Sequence, residues 1–114
     1  MADWAQDLDE LRVGFLRRSR ERVAEARRLI EELMVTPGAR PPLVALHALL
    51  HKVTGAAGIY GYPEVSVDAG AATHTTEELI EVAKSPDAAD LAAILAAITR
   101  ISERLDRPPK TPDP

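Results

Sequence analysis

The residues with the clearest chemical capacity lie in the run Leu46-His47-Ala48-Leu49-Leu50-His51-Lys52-Val53-Thr54-Gly55-Ala56-Ala57-Gly58-Ile59-Tyr60-Gly61. Here Leu43, Leu46, Leu50, Val53, Ala57 and Tyr60 step by three and four, a core stripe on one helix face. At about 100° per residue, His51 falls roughly 130° from the centre of that stripe, facing solvent or the bundle's edge. A free imidazole nitrogen is a good nucleophile toward an activated phosphoryl group near neutral pH. Such a transfer asks mainly for positioning and charge neutralisation. Lys52 adjoins His51, and Thr54 follows at a spacing that brings its hydroxyl towards a phosphate on the ring. No carboxylate cluster in this stretch can hold Mg²⁺, so the metal must come from a partner.

Val44, Ala48, Gly55 and Gly58 surround His51 on the same face, and only Val44 is branched. Glycine inside a helix costs about 1 kcal/mol relative to alanine, so Gly55 and Gly58 need a reason. One reason is close packing of a neighbouring helix. The other is access: Gly55 lies one turn beyond His51 and leaves bare backbone where a docking protein approaches. His47, four residues before His51, either flanks the core and orients or shields the acceptor, or shares a metal with it. The metal reading lacks the Glu of a zinc-protease motif, and His74 is the one remaining histidine. His74 reads as a solvated or partly packed residue, and Lys84 as a favourable charge at a helix C-terminus.

These residues must be carried by helices. The first segment, about Asp7 to Met34, places Leu8, Leu11, Phe15, Ser19, Val23, Ala26, Ile30 and Leu33 on one face, with Ser19 a polar gap. Trp4 and its neighbours are expected to form a separate short turn covering one end of the bundle. Thr36-Pro37-Gly38 stops the first helix, with Gly38 as its cap. The second begins near Pro41-Pro42 and closes at Gly61. Pro63 opens the third, with Val65, Ala69, Ala72, Thr76, Leu79 and Ala83 as its stripe. Ser85-Pro86-Asp87 starts the fourth, Ser85 supplying the capping hydroxyl, and its stripe is Leu91, Ile94, Ile98, Ile101 and Leu105. Four amphipathic segments with short connections predict an all-α, antiparallel four-helix bundle over residues 1–106. The tail 107–114 is too rich in proline to fold.

Composition narrows the function classes. The 114 residues fit one domain, and Trp4, Phe15, Tyr60 and Tyr62 are the only aromatics, which leaves the core to aliphatic side chains. Without cysteine there are no disulfides or thiolate metal sites. No uninterrupted apolar run approaches the roughly 18 residues of a membrane span, and the N-terminus does not read as a signal peptide, so the expected address is the cytoplasm. Seven arginines between Arg12 and Arg28 make up half of the 14 Lys and Arg residues, on a chain of net charge −4. Acids interleave with them, and Arg17–Glu21, Glu25–Arg28 and Arg28–Glu32 fall at helical neighbour spacing. That pattern is a solvated helix face, and nucleic-acid binding is not expected.

The stretch around His51 resembles the signature of the histidine-containing phosphotransfer (HPt) domains, His-x-x-Lys-Gly followed by a small cluster and a further glycine. His51, Gly55 and Gly61 match the phosphoacceptor and the two glycines, while Thr54 replaces the Lys that contacts phosphate in the family. Lys52 is the nearest remaining ammonium, on a different side of the helix. The resemblance implies a phosphocarrier, not an enzyme, that relays phosphoryl groups between the aspartates of response-regulator receiver domains or from a hybrid histidine kinase to a receiver. A monomer is the default for the four-helix architecture, and the Ala- and Arg-rich composition together with the family suggests a bacterial source. No Gly-rich nucleotide loop is present, and a Lys follows His51 where sensor kinases carry an acid, which argues against autophosphorylation. The rival reading is a helical adaptor, or a degenerate HPt-like module that docks partners without accepting phosphate.

Overall fold

The computed structural model describes residues 4–107, with side chains from Gln6 onward. Its elements are α1 (Trp4–Val35), α2 (Arg40–Ile59), α3 (Pro63–Glu81) and α4 (Ala88–Leu105), and each packs against its neighbours in a closed ring: α1 on α2, α2 on α3, α3 on α4, α4 on α1. This is an antiparallel four-helix bundle, built as the periodicity predicts. Its core is aliphatic, with Ile30, Leu33, Leu46, Val65, Ile94, Ile98, Ile101 and Leu105 almost wholly buried. Phe15 stacks on Tyr60 at 5.0 Å and meets Tyr62 at 5.5 Å, closing the end from which the α2–α3 turn projects. Ser19 is fully buried with its hydroxyl unpartnered among the described residues.

Several boundaries differ from expectation. Trp4 belongs to the continuous α1 and forms no separate turn. With 32 residues against 18 to 20 in the others, α1 outruns the bundle. Leu8 and Leu11 continue its apolar stripe but are 41% and 49% exposed, because no other helix reaches beside them. Gly38 is not a left-handed cap: Gly61 is the one described glycine with positive φ. Instead, Ala39 N–H donates to Thr36 O at 3.0 Å, and Gly38 sits inside that turn.

Ala83 leaves the α3 core stripe and adopts φ 52° just beyond the helix. There Lys84 N–H donates to Leu79 O at 3.0 Å and Ala83 N–H to Ile80 O at 3.2 Å, a pair of bonds that satisfies two terminal carbonyls. Lys84 therefore lies beyond the last turn of α3, in the loop to α4. The N-cap of α4 is Asp87, not Ser85: Asp87 accepts from Asp90 N–H at 2.8 Å, and Asp90 accepts from Asp87 N–H at 3.0 Å. Two carboxylates at this spacing satisfy two amide donors reciprocally, which a hydroxyl two residues earlier cannot do.

Arginines lace the surface. Arg104 bonds Asp68 at 2.8 Å and also Glu64, tying α4 to α3, while Arg20 reaches Asp106 at 3.3 Å. Arg28 bridges Glu25 and Glu32 as the spacing predicts, but Arg17 and Glu21 form no ion pair among the described residues. Helix α2 has the length and mean hydropathy to cross a membrane, although Arg40, His47, His51 and Lys52 interrupt it and its apolar stripe is packed into the bundle. Apart from Arg107, the Pro-rich tail lies outside the described residues, as do residues 1–3.

Candidate functional site

Helix α2 positions the site. Pro41 and Pro42 occupy its first turn, where missing N–H groups leave no donor unsatisfied. Leu43, Leu46, Leu50, Val53 and Ala57 are buried, which fixes the helix's rotation. That rotation leaves His51, Lys52, Ala48, Gly55 and Gly58 exposed, with Val44 44% exposed at the edge. Lys52 makes no hydrogen bond or ion pair among the described residues. No acid lies on α2, so no carboxylate of its own helix competes for His51.

The two glycines are resolved by the space around them. Among the described residues, a Cβ built at Gly55 or at Gly58 meets nothing within 4 Å. Close packing among the described residues therefore does not require either glycine. Gly70 on α3 faces the α2–α3 seam, where a Cβ would make an ordinary contact, 3.6 Å from the methyl of Thr54. Small residues on α3 (Ser66, Ala69, Gly70, Ala72) let it approach α2, and these two helices share the most extensive contact in the bundle.

Thr54 does not face the acceptor. Its hydroxyl donates to Leu50 O at 2.8 Å and lies 3.3 Å from the Thr73 hydroxyl, in the α2–α3 seam. The expectation that it reaches towards a phosphate on His51 is corrected by that geometry: a half-buried threonine in a helix satisfies its hydroxyl on the carbonyl four residues back. Ser66 adds a bond from α3 to Thr54 O at 2.9 Å.

His47 is half-buried on the α3 side, with Nδ1 3.1 Å from Oγ1 of the fully buried Thr76. Its ring lies 6.2 Å from that of His51, with only 17° between the planes. The structure thus brings His47 and His51 together, adds Thr76 behind them, and leaves Lys52 alone on the surface. Thr76 escapes a reading based on periodicity because it occupies a core position; a hydroxyl within an apolar stripe is the signal that marks it. His74 is exposed and pairs with Glu78 at 3.2 Å. Among the described residues, no three His, Asp or Glu side chains gather to hold a metal ion.

The chain matches no family model, no curated protein and no solved structure with which it was compared.

Proposed function

We propose that this protein is a histidine phosphocarrier of the HPt type, with His51 as the phosphoacceptor. The observation that carries the reading is the open space over Gly55 and Gly58 beside an exposed histidine. Two glycines that destabilise the helix and make no room for any described residue make room for a partner. A partner can then bring an activated phosphoryl group onto the imidazole across an uncharged surface of Ala48, Gly55 and Gly58, with Val44 as an apolar contact at its edge.

In the reaction, a neutral His51 ring nitrogen forms the N–P bond as the acyl-phosphate O–P bond of a receiver aspartate breaks. The aspartate carboxylate leaves with the bonding electron pair, and the other ring proton passes to water. The receiver supplies Mg²⁺, and the bundle contributes position rather than acid–base machinery. Reversal of the same steps loads the next receiver. This places the protein in the cytoplasm, where receivers work.

A second reading, a degenerate module that docks receivers without chemistry, is favoured by Thr54, which stands where the family has Lys and turns its hydroxyl into the seam. The deciding experiment presents phosphorylated receiver domains to the wild type and to His51→Gln. An acid-labile, alkali-stable phosphate on the wild type alone is the expected result. Two folded proteins that both stay unlabelled across a broad receiver panel would overturn the phosphocarrier and leave the docking module.

A further inference from the structure

His47 is a second imidazole beside the acceptor, and its environment is built rather than incidental. Thr76 Oγ1 has one proton and three neighbours: Thr73 O at 2.9 Å, Ala72 O at 3.1 Å and His47 Nδ1 at 3.1 Å. When that proton goes to a backbone carbonyl, the hydroxyl oxygen is left as an acceptor, and His47 then donates to it from Nδ1. In that arrangement the bond sets the tautomer, and because Thr76 is fully buried it also sets the ring's rotation. The opposite ring nitrogen, Nε2, is then the one without a proton. His51 lies one turn on, its ring nearly parallel to this anchored one. An exposed histidine on a bare helix surface otherwise rotates freely about both side-chain torsions.

From this we infer that His47 is a positioning residue for His51, locked by Thr76, so that the acceptor ring is held in one plane before a donor arrives. The inference rests on the phosphocarrier reading for its kinetic consequence, but not for its structural one. Holding a nucleophile in a near-attack orientation removes rotational freedom that would otherwise be lost in the transition state. This chain lacks the family's Lys at position 54, so ring orientation is a contribution that its own residues still supply. The coupling runs from a core hydroxyl on α3, through a half-buried ring, to a surface ring on α2.

The test uses the full chain with Thr76→Val, which keeps the shape and removes the hydroxyl, and Thr76→Ser, which restores it. Nitrogen-15 NMR of the imidazoles reads the tautomer of His47 and the ordering of His51, and phosphotransfer kinetics read the consequence. The wild type is expected to show the Nδ1–H form of His47. Thr76→Val is expected to mix the tautomers, broaden the response of His51 and slow transfer at saturating donor about tenfold, with KM within about twofold. Thr76→Ser should recover both. An Nε2–H tautomer in the wild type, or a folded Thr76→Val in which His51 signals and transfer rate do not move, would overturn the inference. If Thr76→Val does not fold, His47→Phe at the half-exposed edge removes the same bond, and an unchanged His51 there is equally decisive. A wild type that accepts no phosphate sinks the phosphocarrier while the imidazole spectra still report whether Thr76 orders His51.

Discussion

The hydroxyl of Thr54 donates to the carbonyl of Leu50 at 2.8 Å, inside its own helix and away from the ring of His51. A residue that sequence spacing places beside the acceptor is thus a seam residue. Thr54→Val is therefore expected to leave phosphotransfer within about twofold of wild type and to lower stability by about 1 kcal/mol or less, as for loss of an ordinary hydrogen bond. Single-turnover transfer and urea unfolding check both. A tenfold loss of transfer in a folded Thr54→Val would return the hydroxyl to the phosphate site.

Gly55 and Gly58 support a sharper expectation, because stability and function should move in opposite directions. A methyl at either position meets nothing among the described residues, so Gly55→Ala and Gly58→Ala should each stabilise the helix by about 1 kcal/mol. For a domain of this size that is a rise of about 4 °C in Tm. The same methyl occupies the surface on which the partner is proposed to sit, so kcat/KM for transfer should fall at least about tenfold, a loss of roughly 1.4 kcal/mol. Stabilisation with transfer unchanged would mean that the bare backbone serves no partner.

The start of α4 makes a prediction about acid. The Asp87 carboxyl is held below the ordinary carboxylate range, chiefly by the Asp90 backbone N–H, with Lys84 adding attraction. A folded-state value below the unfolded one means that the charged form favours the folded chain. That contribution is present above the unfolded value of about 4 and is lost as pH falls through the folded value. Asp87→Asn keeps an acceptor but not the charge. It should unfold at lower urea than wild type at pH 6, and the two midpoints should draw together as pH falls below the ordinary carboxylate range. Curves that stay parallel across this range would remove Asp87 from the acid response. Glu25 is also lowered, chiefly by its hydrogen bond to Arg28, so an acid-dependent loss should persist in the variant.

These cases mark what can be read from residue order. The rotation of α2 is legible because Leu43, Leu46, Leu50, Val53 and Ala57 leave one solution for which face is inside, and the exposure of His51 follows. Leu8 and Leu11 keep the same period yet stay exposed, since periodicity reports a face and not whether a neighbouring helix is long enough to cover it. The cap of α4 is misplaced by two residues because Ser85 and Asp87 both have capping side chains; the reciprocal bonds with Asp90 decide between them. Spacing puts Thr54 near His51, but a hydroxyl's choice among acceptors depends on a rotamer that spacing does not set. The Thr76–His47 bond joins residues 29 apart in sequence and exists only once α3 lies against α2.

The two interhelical turns around α3 provide a matched test of backbone strain. Gly61 has φ 89° after α2, and Tyr62 N–H donates to Ala57 O at 2.9 Å; Ala83 has φ 52° after α3 with the equivalent bond from Lys84 to Leu79. The turn after α3 adds a bond from Ala83 N–H to Ile80 O, but only one of the two left-handed positions carries the residue suited to it. An L-residue in the left-handed region is disfavoured by about 1–2 kcal/mol, part of which glycine gives back through its more flexible unfolded chain. Ala83→Gly should therefore stabilise the protein by about 1 kcal/mol, and Gly61→Ala should destabilise it by about the same or more. Urea unfolding of the two variants checks the pair. Because Gly61 also leads into Tyr62, which packs on Phe15, its replacement should loosen the aromatic end as well, visible as broadened Phe15 and Tyr62 ring signals. Ala83→Gly should leave those signals sharp, since Ala83 is exposed at the opposite end of α3. An Ala83→Gly protein no more stable than wild type would mean that the turn after α3 relaxes out of the left-handed conformation in solution.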